Sequence, residues 1–266
     1  AGPLTGADPG QPPSLRAEWQ SARASVRGLP DALERVSIVM EKPVFSHPRA
    51  DGGKDLLANA EHLEWHTRVR SGSVFADPVL ELAVDLVKGT APGVNHFTNQ
   101  PIDADVTAVL TGLKDLAPKP WPERFREMQA ANGRLEVVNA RVRQGDILAS
   151  ANGTLGVSAG GRLEGELQVT VAGFDKLLPA LGLDQLMAAF GGKDGLGAVA
   201  GQLDRLMPGL GGLVRGRSNL GGNGMSGAVG QPAQIDGRAA VTLPLRFADG
   251  VAFLGPFQLG KTPPLF

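Results

Sequence analysis

The chain has 266 residues with 26 basic and 27 acidic side chains, a balance that excludes the basic field a nucleic-acid partner would require. Its 37 glycines and 20 prolines make up about a fifth of the sequence, above the usual share but without the period of collagen. Aromatic residues are 5% with no Tyr, and cysteine is absent, which removes base-stacking platforms, disulfides, thiolate metal sites and cysteine nucleophiles. No run reaches the ~20 apolar residues of a membrane span, and no basic stretch followed by an apolar one marks a signal peptide. The first residue is Ala1 rather than Met, and a processed or shortened chain is expected, with any membrane anchor lying outside it.

In chain order, residues 1–18 are set apart as a lead-in. Alternation with period two, the pattern of strands with one buried face, begins clearly at 62–70. There Leu63, Trp65, Thr67 and Val69 alternate with His62, Glu64, His66, Arg68 and Arg70. Leu80, Leu82, Val84 and Leu86 then share a face opposite Glu81 and Asp85, and Ile102, Ala104, Val106, Ala108 and Leu110 repeat the pattern. The spacing of Phe125 and Met128, with Pro122 in the first turn and Gly133 beyond the end, predicts a helix over 122–131. Strands resume at Ile147–Val157 and at 163–171, where Leu163, Leu167, Val169 and Val171 alternate with Glu164, Glu166 and Gln168. Turns are expected at Gln144-Gly145-Asp146, Ser158-Ala159-Gly160-Gly161 and Ala248-Asp249-Gly250. Further helices are expected at 174–190 and 196–207. Residues 191–232 form a glycine-rich helix and loop segment, and 233–266 supply closing strands of the domain that starts at residue 19. The expected fold is α+β and sheet-dominated: an antiparallel, curved β-meander with a few helices packed on or into its concave apolar face.

Glycine density produces several motif matches that fail on context. Gly222, Gly224 and Gly227 fit the dinucleotide pattern but lack the preceding strand and following helix that bring a helix N-terminus to the pyrophosphate. Gly255 to Thr262 fits the phosphate-loop pattern letter for letter, yet Pro263 and Pro264 forbid the helix and remove donors. Gly156-Val157-Ser158-Ala159-Gly160 matches a nucleophile elbow, but it joins two alternating strands and is better explained as a hairpin. A hydrolase using Ser158 is therefore only a third reading. His62 and His66 on a strand lie about 13 Å apart, too far to share a metal, and they are expected on the solvent face. His47 and His96 lie in loops without acidic partners at useful spacing. No catalytic residue, metal site or cofactor is expected.

Two blocks resemble a family. One is Asn132-Gly-Arg-Leu-Glu-Val-Val, followed by Ala151-Asn-Gly-Thr-Leu-Gly-Val and by Gly161-Arg-Leu-Glu-Gly-Glu-Leu-Gln-Val-Thr-Val-Ala-Gly-Phe. The other is the closing Leu243-Pro-Leu-Arg-Phe-Ala-Asp-Gly-Val-Ala-Phe-Leu-Gly-Pro-Phe-Gln-Leu-Gly. Together they resemble the bacterial family of domain of unknown function 2125, found largely in alphaproteobacteria. The repeated strand phrases are more distantly similar to the AsmA and TamB group of envelope proteins. The resemblance implies a periplasmic protein anchored to the inner membrane through a segment outside this chain, and the second likeness implies a sheet with an apolar groove for lipid. With one-face-apolar strands and no catalytic constellation, the leading expectation is a non-catalytic protein that binds or passes lipid or another apolar molecule. The contacts expected are Leu80, Leu82, Val84, Leu86, Val106, Leu110, Leu167, Val169 and Val171. The alternative expectation is an envelope scaffold that docks a protein partner through an exposed strand edge or the 191–230 loop.

Overall fold

The computed structural model describes residues 3–7, 14–29, 32–94, 97–174, 176–177, 230–255 and 257–266. Strands dominate, as the alternation predicts, and they form two antiparallel sheets. The small sheet contains β1 (Leu4–Gly6), β2 (Leu15–Glu18), β5 (Val44–Pro48) and β6 (Lys54–Asn59), in the order β1-β2-β5-β6. The large sheet begins at β3 (Ser21–Leu29) and β4 (Ala32–Glu41). It continues with β7 (His62–Ser73), β8 (Ala76–Gly89), β9 (Ile102–Leu110), β10 (Arg134–Gln144), β11 (Ile147–Val157) and β12 (Leu163–Ala172). It ends with β14 (Arg238–Ala248), β15 (Val251–Leu254) and β16 (Phe257–Lys261), while β13 (Gln231–Ile235) pairs with the first half of β14. The strand path runs from β16 to β3 without closing, so the sheet is open and has two edges.

The lead-in expected over residues 1–18 contains β1 and β2. β1 pairs with β2, β2 with β5, and β5 with β6; the last two leave the meander between β4 and β7. Ionic contacts tie this sheet together: Arg16 bonds Glu18 at 3.0 Å, and Lys54 reaches the same carboxylate across β5. Both cations hold the Glu18 carboxyl down to about 2.

The predicted turns form where composition places them. Ser158 accepts from Gly161 N–H at 2.9 Å and donates its own N–H to Arg162 O at 2.8 Å, closing the β11–β12 hairpin. Asp249 and Gly250 both adopt positive φ, 53° and 75°, the conformation a two-residue Asp-Gly hairpin turn requires.

The helix α1 (Trp121–Ala130) interrupts the meander between β9 and β10, one residue earlier than predicted. Pro122 occupies its first turn, where the missing N–H costs nothing. Its end is a Schellman motif. Asn132, with φ 50°, takes the left-handed position, and Gly133 N–H donates back to Met128 O at 2.6 Å. The predicted stop residue Gly133 has a second role: a Cβ on Gly112 would lie 2.3 Å from Gly133 Cα, so the chain leaves and rejoins the sheet through two touching glycines. Of the helix expected over 174–190, Phe174, Lys176 and Leu177 are helical. The remainder, the helix expected over 196–207, and most of the 191–232 segment lie outside the described residues. No helix among the described residues is long and apolar enough to cross a membrane.

Candidate functional site

Residues directly opposite one another on neighbouring antiparallel strands point to the same face, so the register decides which alternating positions join. One row runs Ala24–Ile38–Trp65–Val84–Val106–Ala140–Ala151–Val169–Leu243 across nine strands. A second runs Val26–Val36–Thr67–Leu82–Ala108–Val137–Gly153–Leu167–Leu245–Leu254. Leu86 and Val171 belong to a third row, with Leu63, Ala104, Val142 and Ala149 between or beside them. Leu80 and Leu110 belong to a fourth, with Val69, Leu135 and Leu155. All nine residues singled out in the sequence therefore lie on one face of one sheet, and Thr67 is the single polar side chain in the two rows traced in full. A bulge at Val138 and Asn139 in β10 preserves this parity. The extra residue is absorbed before Ala140 aligns with Val106 and Ala151.

The face is covered unevenly. At one end of the strands, Phe125 and Met128 of α1, with Leu113, Leu116, Leu265 and Phe266, pack on Val69, Leu80, Leu82, Leu110 and Val157. This lid is held by charge. Arg124 bonds the backbone oxygens of Asp115 and Ala117 and the carboxylate of Glu127, while Lys119 bonds Asp115 at 2.8 Å and also Glu127. Lys119 is the main influence lowering both carboxyls below their ordinary values, helped by Arg124. At the other end the small sheet covers the face. Phe45 and Ala58 meet Leu63, Leu86 and Ile102 around a partly open, mainly apolar pocket of about 130 Å³.

Between these covers the central row is graded. Leu243 is fully buried, within reach of Phe174, Leu177 and Leu259. Val169, Ala151, Ala140, Val106 and Val84 are half-buried. Trp65 is 43% exposed, Ile38 37% and Val26 65%. The Trp65 indole is oriented by its N–H, which donates to Thr67 Oγ1 at 2.7 Å. Val84, Val106, Leu167 and Val169 thus lie in the open part, Leu80, Leu82 and Leu110 under α1, Leu86 beside the pocket, and Val171 in the core. The sequence selection omitted Ile38, Val26, Trp65 and Phe45. Trp65 sat in a recognised alternating run, so its parity was available; Phe45 carried no such signal, because its strand belongs to the other sheet.

The opposite face is polar over the β4–β9 strands, whereas over β11–β14 it holds a small buried cluster of Leu148, Ala172, Ala240 and Ile235. His62 bonds Glu41 at 2.8 Å and Glu64 at 3.0 Å, and His66 bonds Glu64 at 3.0 Å. Glu64, then Glu41, raises the His62 pKa, and His62, then His66, lowers that of Glu64. Both histidines are half-buried on this face, and His47 Nδ1 lies 2.9 Å from Ser14 O; His96 lies outside the described residues. No group of three or more acidic or histidine side chains suited to a metal occurs among the described residues. An open cleft of about 420 Å³ on this side is lined by opposed charges, including Arg134, Glu164, Glu166 and Arg246. Ser158 borders it, its Oγ accepting from Arg162 N–H at 3.2 Å in the hairpin turn. Within Gly255–Thr262, Phe257–Lys261 form β16, which pairs with β15, and Gly222–Gly227 lies outside the described residues.

No curated protein and no solved structure matches this chain. A family model described as "Uncharacterized protein conserved in bacteria (DUF2125)" matches residues 1–263, and the chain belongs to that family.

Proposed function

We propose that the chain binds a lipid acyl chain, or another elongated apolar molecule, along the central row of its large sheet, and that it does so without chemistry. The observation that carries this reading is the run Ile38–Trp65–Val84–Val106, apolar on four successive strands, half-buried or exposed, and not covered by any of the described residues. Contiguous apolar surface of this kind commonly marks a binding site, and each methylene taken from water contributes about 0.8 kcal/mol. Because the row runs across the strands, the covers at the two strand ends would flank the bound segment as walls. The family resemblance supports a periplasmic location and an inner-membrane tether, and the more distant likeness of the strand phrases to the AsmA and TamB group supports an apolar groove for lipid.

The test is native mass spectrometry with organic extraction on protein purified from its own envelope fraction, where a stoichiometric lipid is expected. A second readout uses the three tryptophans. With Trp19 and Trp121 replaced by Phe, brominated fatty acid should quench the remaining Trp65. A lipid-free mass together with unquenched Trp65 would overturn the proposal.

A further inference from the structure

The two edges of the large sheet are built differently. At one, β14 is flanked by two short strands, β13 of five residues and β15 of four, with β16 of five outside β15. Pro232 and a register irregularity in the β15–β16 pair interrupt this edge, both devices that discourage further pairing. At the other, β3 is nine residues long and pairs with β4 alone among the described residues. Every residue from Ser21 to Gly28 is exposed, and neither Pro nor an inward charge guards the strand, whose one register irregularity falls at its far end, between Arg27 and Gly28.

Its charge is one-sided. Ala22, Ala24 and Val26 continue the apolar face, whereas Arg23, Ser25 and Arg27 lie on the polar one. Arg27 stands directly opposite Arg35, and Arg35 opposite Arg68, an arrangement of like charges that is unfavourable unless anions offset it. Arg68 bonds Glu81, and Arg27 lies 3.0 Å from Glu34. Arg23 and Arg35 have no acidic partner among the described residues.

We infer that β3 is a docking edge for an extended acidic segment of another protein, which adds to the sheet as an antiparallel or parallel strand. Backbone groups on the outer side of β3 would bond the segment. Its acidic side chains would meet Arg23, Arg27 and Arg35, and its alternate apolar side chains would prolong the row that ends at Ala24 and Val26. Charge argues against a second copy of this chain as occupant. Pairing β3 with itself about Ser25 sets Arg23 against Arg27 twice, and neither β13 nor β16 contains an acid.

The probe is a fluorescent nine-residue peptide alternating Glu and Val, titrated into the full chain by anisotropy. Saturable binding that weakens with salt is expected, together with slowed amide exchange confined to residues 21–28. A Lys-for-Glu peptide should bind at least tenfold more weakly. Arg23→Gln with Arg35→Gln should weaken the Glu peptide at least tenfold while the strand signal in circular dichroism is retained, and Arg23→Gln alone serves if the pair does not fold. Absence of binding, equal binding of the two peptides, protection elsewhere, or protection of residues 21–28 that rises with protein concentration without peptide would each overturn the inference.

Discussion

The α1 end of the apolar face and its middle share one sequence pattern, Leu, Val or Ala at every second residue, yet they have opposite environments. Leu80 is 6% exposed, because Met128 and the Leu265–Phe266 segment close over it. Four residues along the same strand, Val84 is half-buried, and its cross-strand neighbour Trp65 is 43% exposed. Alternation therefore defines a face, whereas the elements that return to that face define a core. The covered end is where stability concentrates; the middle, left open by the described residues, is where the proposed ligand would replace water.

Truncation separates the two regions most sharply. Leu80→Ala or Met128→Ala should cost about 2–5 kcal/mol in urea unfolding, through lost burial and an unfilled cavity. Val84→Ala and Ile38→Ala should cost less than about 1 kcal/mol by the same measurement, since little cavity forms at a half-open position. Val84→Asp should leave a folded sheet but abolish lipid uptake. Global unfolding of that variant would place Val84 in a closed core and erase the contrast.

The charged clamp under α1 sharpens the comparison from the other side. Arg124→Ala leaves the backbone oxygens of Asp115 and Ala117 and the Glu127 carboxylate without this donor, and should cost about 1–3 kcal/mol. Glu127 has a lowered pKa in the fold because of Lys119 and then Arg124. Its contribution is present above its ordinary value of 4.5 and is lost as pH falls through the folded value. The thermal midpoint should drop more steeply below pH 4.5 in the wild type than in Glu127→Gln.

The smallest effect belongs to the polar face. Glu64, then Glu41, raises the pKa of His62. That stabilisation is complete below the ordinary value of 6.5 and disappears as pH rises through the higher folded value. Melting curves between pH 6 and 9 should show a shallow decline that His62→Gln abolishes.

Much of the large sheet could be read from local signals. The runs at 62–70, 79–88, 102–111, 147–157 and 163–171 alternate over enough residues to fix strand type and parity, and Gly-containing turns mark their ends. The small sheet could not be read this way. β1 and β2 have three and four residues, too few to display a period, and β2 joins β5 across a long stretch of chain. Phe45 was missed for that reason, although it lines the apolar pocket.

Local pattern suffices for the apolar residue at every second position, for the turns, and for the short helix with a defined stop that interrupts the strands, because these depend on neighbours a few residues apart. That the nine apolar residues of β8, β9 and β12 lie on one face was settled by tertiary pairing, since register is set by hydrogen bonds between strands. It also decided that, among the described residues, one end of this face is sealed, its middle left open and its β3 edge paired on one side only. Those outcomes depend on whether distant segments return to cover a surface, which is a matter of long-range packing rather than of local pattern.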